Sequence, residues 1–260
     1  MSLRAVPGSI KLYGMAESFQ TYIGIDVQAG LKPYFYTAIN SGLEVIACGH
    51  GRLTDVIAYL AGQSSALVAV NGPVCLAHNS VQIGLFESGD TTESCTRLGD
   101  RELEADGFHD LALPEHTKKA PLWVERSLEL ADSLKRLEYS IETGARQYFE
   151  TQSDAAYWLV TGAMPYDSRS LEGRLQRQLL LWEFGLNLKD PMNFLEEFTR
   201  FRLRTSQVPL EQILPGHELR AMIAASTAWL LDNHPDRVRH FGTIHAGEII
   251  LPVEFSRKSN

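Results

Sequence analysis

Apolar and polar positions along this chain divide its first third into clear elements. Thr21 to Asp26 form a continuous β-prone run closed by an acid and, at Gly30, a turn-former, the pattern of a buried strand. Pro33 to Ile39 and Glu44 to Cys48 are two further β-rich runs, and Asn40-Ser41-Gly42 between them signals a hairpin. Three antiparallel strands in succession are therefore expected. Leu53, Val56, Ile57 and Leu60 then recur at helical spacing up to Gly62 and lead into the apolar run Ala66 to Val70, stopped by Asn71, Gly72 and Pro73. A helix that crosses over between two strands of one sheet makes the fourth strand parallel to the first.

The remaining pattern is less regular. Residues 77–122 are rich in Ser, Thr, Gly, Asp and His and read as a long loop or insertion, of a length that commonly carries function. Leu128, Ala131, Leu134 and Leu137 mark a helix from about 122 to 137, feeding a short strand from Tyr139 to Glu142. Ala145 to Phe149 and Asp154 to Val160 read as short helical pieces, followed by a turn from Gly162 to Arg169. Leu171, Leu175, Leu179 and Trp182 line one face of a helix that Gly185 ends, and Asp190-Pro191 opens another running to about Leu203. A last helix from about Glu218 to Leu231 precedes a β-rich run from Gly247 to Phe255. With no repeat, low-complexity tract or clear linker, residues 1–260 are expected to form a single α/β domain with an insertion.

Composition narrows the class. At 260 residues, with 44% hydrophobic and 22% charged positions, the chain can bury one large core. There is no run of 18 apolar residues and no leader-like N-terminus, so a cytoplasmic protein without a membrane partner is expected. Cys48, Cys75 and Cys95 are odd in number and far apart, which suggests neither a disulfide framework nor a zinc site. A net charge of −8 argues against broad attraction to nucleic acid, but leaves a local basic stripe open.

Asp26 is the first candidate for chemistry. A carboxylate where a buried strand emerges is costly unless a cation, or a phosphate-bearing ligand with its Mg²⁺, meets it; the ordinary alternative is an Asp that caps the next turn. Several short pieces then carry a resemblance: Gly24-Ile25-Asp26, Val68 to Pro73, Arg97 to Leu103, Ile141-Glu142-Thr143, Glu172-Gly173-Arg174 and Gly247 to Pro252. In their order and spacing the chain resembles an uncharacterised family of predicted nucleases with a ribonuclease H-like fold. That resemblance implies a mixed central sheet, three antiparallel strands and then parallel ones, flanked by helices.

It also implies a set of acids. Asp26 matches the acid expected at the end of the first strand and Glu142 the glutamate after a later strand. Asn71 stands where a second acid is expected, and His217, Glu218 and Arg220 stand where aspartates should open the last helix. The implied catalytic set is Asp26, Asn71, Glu142 and Glu218, with Asp26, Glu142 and Glu218 as ligands of Mg or Mn. Two such ions about 4 Å apart need several anionic oxygens between them, and Asn71 offers a carbonyl but no charge. On this reading the acids are strained without a cation. Beside this implied set, Arg174 and Arg177 share one helical face that can grip phosphates, His217 can act as a ligand or base, and with Arg97 and Asp100, the latter raised by the resemblance, they make up the expected substrate-binding residues.

Each candidate also has an ordinary role. Glu142 can pair with Arg146, and Glu218 suits the first turn of any helix through the macrodipole. Asp100 belongs to a local cluster with Arg97, Arg101 and Glu102, and His217 can simply cap a helix. Arg169, Arg174 and Arg177, like Arg200, Arg202 and Arg204, can be a solvated face. Three functions compete. The first is a metal-dependent nuclease or phosphodiesterase acting on a nucleic acid or nucleotide-like phosphodiester. The second is a catalytically degenerate binding or scaffold protein of the same fold, which Asn71 and Arg220 favour. The third, an actin-like ATPase, lacks a later Asp-x-Gly-x-Thr segment, and a serine hydrolase lacks its Gly-x-Ser-x-Gly elbow.

Overall fold

The computed structural model describes residues 18–28, 32–76, 97–109, 120–244 and 247–255. Strand β1 (Thr21–Asp26) pairs antiparallel with β2 (Tyr34–Ile39), which pairs antiparallel with β3 (Val45–Gly51). Asn40 closes the hairpin: its side-chain oxygen accepts from the Gly42 and Glu44 amides at 2.9 and 3.0 Å. Helix α1 (Leu53–Ala61) crosses over to β4 (Ala66–Asn71), which runs parallel to β1 with Asn71 opposite Asp26. The described chain resumes with α2 (Leu98–Ala105) and α3 (Leu122–Arg136), and then β5 (Arg146–Thr151) extends the parallel set.

After β5 come α4 (Ser153–Thr161), α5 (Leu171–Phe184), α6 (Met192–Glu197), α7 (Arg200–Arg204) and the long α8 (Gly216–Asn233). Strands β6 (Val238–Phe241) and β7 (Ile249–Pro252) close a seven-stranded mixed sheet in the order β3-β2-β1-β4-β5-β7-β6. The architecture is the expected α/β one, an antiparallel set followed by parallel strands and flanked by helices. Among the described residues no helix is long and apolar enough to cross a membrane.

Alternation along the strands sorts the core into two layers. Tyr22, Leu67, Ala69 and Phe149 pack with α4, α5 and α8, while Ile23, Ile25, Val68, Val70 and Tyr148 pack with α1 and α3 on the other face. Helix α8 lies between the sheet and the helices α4 and α5, so Ala221 through Ala228 are buried without interruption. A helix enclosed on both sides loses the polar stripe that marks a surface helix.

Four sequence expectations are corrected. Residues 145–149 are not helical; they begin β5, where Tyr148 and Phe149 point to opposite faces at the two-residue period of a strand. The strand expected from Tyr139 to Glu142 is only an isolated bridge between Ser140 and Gln147. The helix expected to run on to Leu203 breaks at Phe198 and restarts, because the Thr199 hydroxyl caps a new turn by accepting from the Arg202 amide at 3.2 Å. The expected insertion contains α2 and, of the next helix, only its first residue, Leu122, while its residues 77–96 and 110–119, with Cys95, lie outside the described residues. Cys48 is exposed and Cys75 half-buried, and both are free thiols.

Candidate functional site: a carboxylate held by an arginine

The parallel register of β1, β4 and β5 brings Asp26, Asn71 and Thr151 to one edge of the sheet. Tyr22, Gly24 and Asp26 face α8, so the Asp26 carboxylate, only 1% exposed, emerges under the first turns of that helix. There Arg220 meets it with both branches of its guanidinium: Nε donates to Oδ1 and Nη2 to Oδ2, each at 3.0 Å. The planar fork of arginine matches a carboxylate in this geometry. Asn71 Nδ2 donates to Asp26 Oδ1 at 2.7 Å, and Asn71 Oδ1 accepts from the Ser153 amide at 2.8 Å. Ser153 Oγ donates to the Arg220 carbonyl at 2.9 Å, so β1, β4, α4 and α8 are tied by one polar network. Burial works against the charge of Arg220, but the Asp26 carboxylate, together with Asp154 and Tyr157, offsets this and leaves its pKa raised.

This network forms one wall of a cavity of about 770 Å³. Lys32, Arg169, Arg174 and Arg220 line it, against two carboxylates, Asp26 and Asp154. Both acids are already engaged, Asp26 by Arg220 and Asp154 by Arg177 at 3.2 Å, so the cleft is electropositive on an otherwise acidic protein. Gly216 and His217 bring the start of α8 to the same wall, with no side chain capping that helix. Trp123 supplies a planar aromatic surface, and Gln28 Nε2 is buried with no hydrogen-bond partner among the described residues.

The expected site residues separate. His217 lines the cavity, its ring 3.6 Å from that of Phe35; burial and the nearby charges of Arg220, His50 and Arg174 lower its pKa against the pull of Asp26. Arg174 also lines it, and donates to the backbone carbonyls of Ile213 and Leu214, fixing the approach to α8. Arg177 is 2% exposed and donates to the Tyr166 and Gly173 carbonyls, with its guanidinium over the Tyr157 ring, so it braces α5 instead of meeting a substrate. Burial raises the pKa of Glu218 against the opposing electrostatic pull of His50 and Arg174, and Glu218 in turn acts electrostatically on Cys48 of β3. Glu142 is exposed in the turn before β5, at the N-terminal edge of the parallel strands, across the sheet from Asp26. It does not join Asp26 because the strand that follows is β5 itself, which runs from Glu142 toward the site.

Arg97 and Asp100 are likewise removed from the cleft. Arg97 is 3% exposed and bridges two acids, donating to Asp100 at 2.7 and 2.9 Å and to Glu150 of β5 at 2.5 and 2.6 Å. Glu150 also accepts from the Val74 amide at 3.0 Å; burial raises its pKa while Arg97 pulls it down. Gly247, at φ 81, lies against Arg97: a Cβ there would come within 2.8 Å of Arg97 Cδ. These residues form a buried staple between β5, the start of α2 and the loop before β7. The sequence reading missed Glu150 because residues 145–149 just before it were read as helical and Glu150 itself fell in no element, and it missed Lys32 and Trp123 because each is a lone residue whose role depends on where the sheet places it.

The implied Mg or Mn does not fit the residues present. A divalent cation needs several available anionic oxygens, yet both Asp26 oxygens already accept from Arg220 and one also from Asn71. Among the described residues no group of three His, Cys, Asp or Glu could hold a metal ion. Comparison with known family models, curated proteins and solved structures finds no match.

Proposed function

We propose that this chain is a ribonuclease H-like binding module, catalytically degenerate, that takes a nucleic acid or nucleotide-like phosphodiester in the cleft above Asp26. The observation that carries this reading is the engagement of both Asp26 oxygens by Arg220 in a cleft where cations outnumber acids. Guanidinium groups and an uncapped helix start recognise phosphate oxygens without a metal, and Trp123 offers a face on which a base stacks. The strand order, an antiparallel set joined by a crossover helix to parallel strands, is the order a ribonuclease H-like fold calls for and supports this reading at the level of fold. Fluorescence anisotropy with labelled single-stranded, duplex and hybrid oligonucleotides in EDTA tests it. Binding that weakens with salt and with Arg169→Glu is expected; no binding to any of the three rejects the module.

A second reading, the metal-dependent nuclease, draws on the juxtaposition of Asp26 and Asn71 at adjacent strand ends beside the cavity. Its test is cleavage of the same substrates in Mn²⁺. Cleavage that Asp26→Ala abolishes selects this reading over the first.

A further inference from the structure

We infer that Arg220 is a built-in replacement for a divalent cation, so that the cleft binds phosphate without metal. The inference deepens the binding-module reading and rests on it for the ligand, but its structural core is independent of any ligand. A nearly inaccessible carboxylate needs a positive partner. Here that partner is tethered to α8, and it occupies both carboxylate oxygens in the fork geometry that a guanidinium forms.

The second departure from the implied acidic set, Asn71, follows from the first. Arg220 brings one positive charge, which a single carboxylate balances. A second carboxylate at position 71 would leave the cluster with a net negative charge and remove the N–H that now donates to Asp26 Oδ1 at 2.7 Å. The amide also accepts from the Ser153 amide, so both ends of the side chain are used. Asn71 and Arg220 are thus a matched pair, one anion fewer and one tethered cation more, and the cluster is neutral without an ion.

The guanidinium remains partly open to the cavity. Its side chain is 24% exposed, and it lines the cavity with Gly216, where α8 begins; a Cβ on Gly216 would stand 4.0 Å from Nη1. Nε and Nη2 are directed at Asp26, and no hydrogen bond from Nη1 to a described residue is present, so Nη1 and the first-turn amides of α8 are the donors placed to receive a phosphate oxygen.

The test is thermal melting of the full chain, without a phosphate ligand, in EDTA and in millimolar MnCl₂. The wild type should melt at the same temperature in both. Arg220→Gln, which frees Asp26 from its charge partner, should melt lower than the wild type in EDTA, and with Asn71→Asp added, which restores a second carboxylate beside it, the chain should regain about 2 to 4 °C or more in Mn²⁺. Arg220→Lys, which keeps the charge but loses the fork, should be indifferent to Mn²⁺. If the double variant is insoluble, refolding in Mn²⁺ should recover it where EDTA does not. A wild-type chain that Mn²⁺ stabilises, with the effect lost in Asp26→Asn, overturns the inference, as does a double variant that Mn²⁺ neither stabilises nor rescues. Failure of the wild type to bind oligonucleotides in EDTA would instead reject the binding module and leave these melting curves standing.

Discussion

Gly24 at the middle of β1 lies against the backbone of Ala221 on α8, so closely that a Cβ on Gly24 would stand 1.9 Å from the Ala221 carbonyl oxygen. The same Cβ would be 2.4 Å from the Ala225 amide nitrogen. Neither contact is with a flexible side chain, so relief requires moving the helix, and that movement also draws Arg220 away from Asp26. Gly24→Ala should cost at least about 1–3 kcal/mol through overpacking and weaken ligand binding in parallel. Chemical denaturation measures the first; a variant as stable as the wild type would show that α8 is not seated by this contact.

The buried staple gives a second expectation. Removing one partner of a buried ion pair leaves the other uncompensated, typically at 3–5 kcal/mol. Arg97 keeps Asp100 when Glu150 is neutralised, so Glu150→Gln should cost about 3 kcal/mol, the low end of that range. The corresponding fall in melting temperature is about 6–12 °C. A shift of under 2 °C would mean that Asp100 alone satisfies Arg97.

Asn71→Asp replaces the donor to Asp26 with a second carboxylate in a partly buried position. The lost hydrogen bond and the like charge should destabilise the chain by about 1–3 kcal/mol in metal-free buffer. A melting temperature equal to or above that of the wild type would refute the pairing of Asn71 with Arg220.

How much of this was legible in the sequence differs by element. The first strand, the hairpin and the first crossover could be read because their apolar runs are continuous and Asn40, Gly62 and Asn71 punctuate them; each depends on neighbours within a few residues. Strand β5 could not, since Arg146 to Thr151 carries two aromatic residues and a glutamate whose partner, Arg97, is 53 positions away. The position of Asp26 beside Asn71 followed from the parallel crossover. Its partner, Arg220, was visible only as a departure from the acids expected on the last helix. Glu142 was misplaced for a topological reason: sequence order set it next to a strand, but not at which end of that strand the site lies.

Stability should vary with pH through His217. Its pKa in the folded chain lies below the ordinary 6.5, so as pH falls through about 6.5 the unfolded chain takes up the proton first and folding weakens. The contribution is fully present above pH 6.5 and is lost on the way down to the folded value. Glu218, whose pKa is raised from 4.5, acts in the opposite sense at lower pH. The difference between wild type and His217→Gln isolates the histidine. That difference should change between pH 7 and pH 5 in favour of the variant, and a constant difference would count against burial as the cause.

Glu142→Ala should leave oligonucleotide affinity unchanged and stability within about 0.5 kcal/mol, as for most exposed substitutions. A tenfold loss of affinity would require a ligand long enough to reach both edges of the sheet.

The pairing of Asp26 with Arg220 spans 194 positions. At a synthesis rate of about 5–20 residues per second, the carboxylate and the sheet face around it therefore wait on the order of 10–40 s on the ribosome for the helix that covers them. During that interval Tyr22, Leu67 and Ala69 have no α8 to pack against, and the nascent chain presents an apolar sheet face of the kind that chaperones hold. Ribosome-stalled chains ending before Gly216 should accordingly be cut readily by protease at the β1–β4 region, and chains extended well past Asn233 should resist.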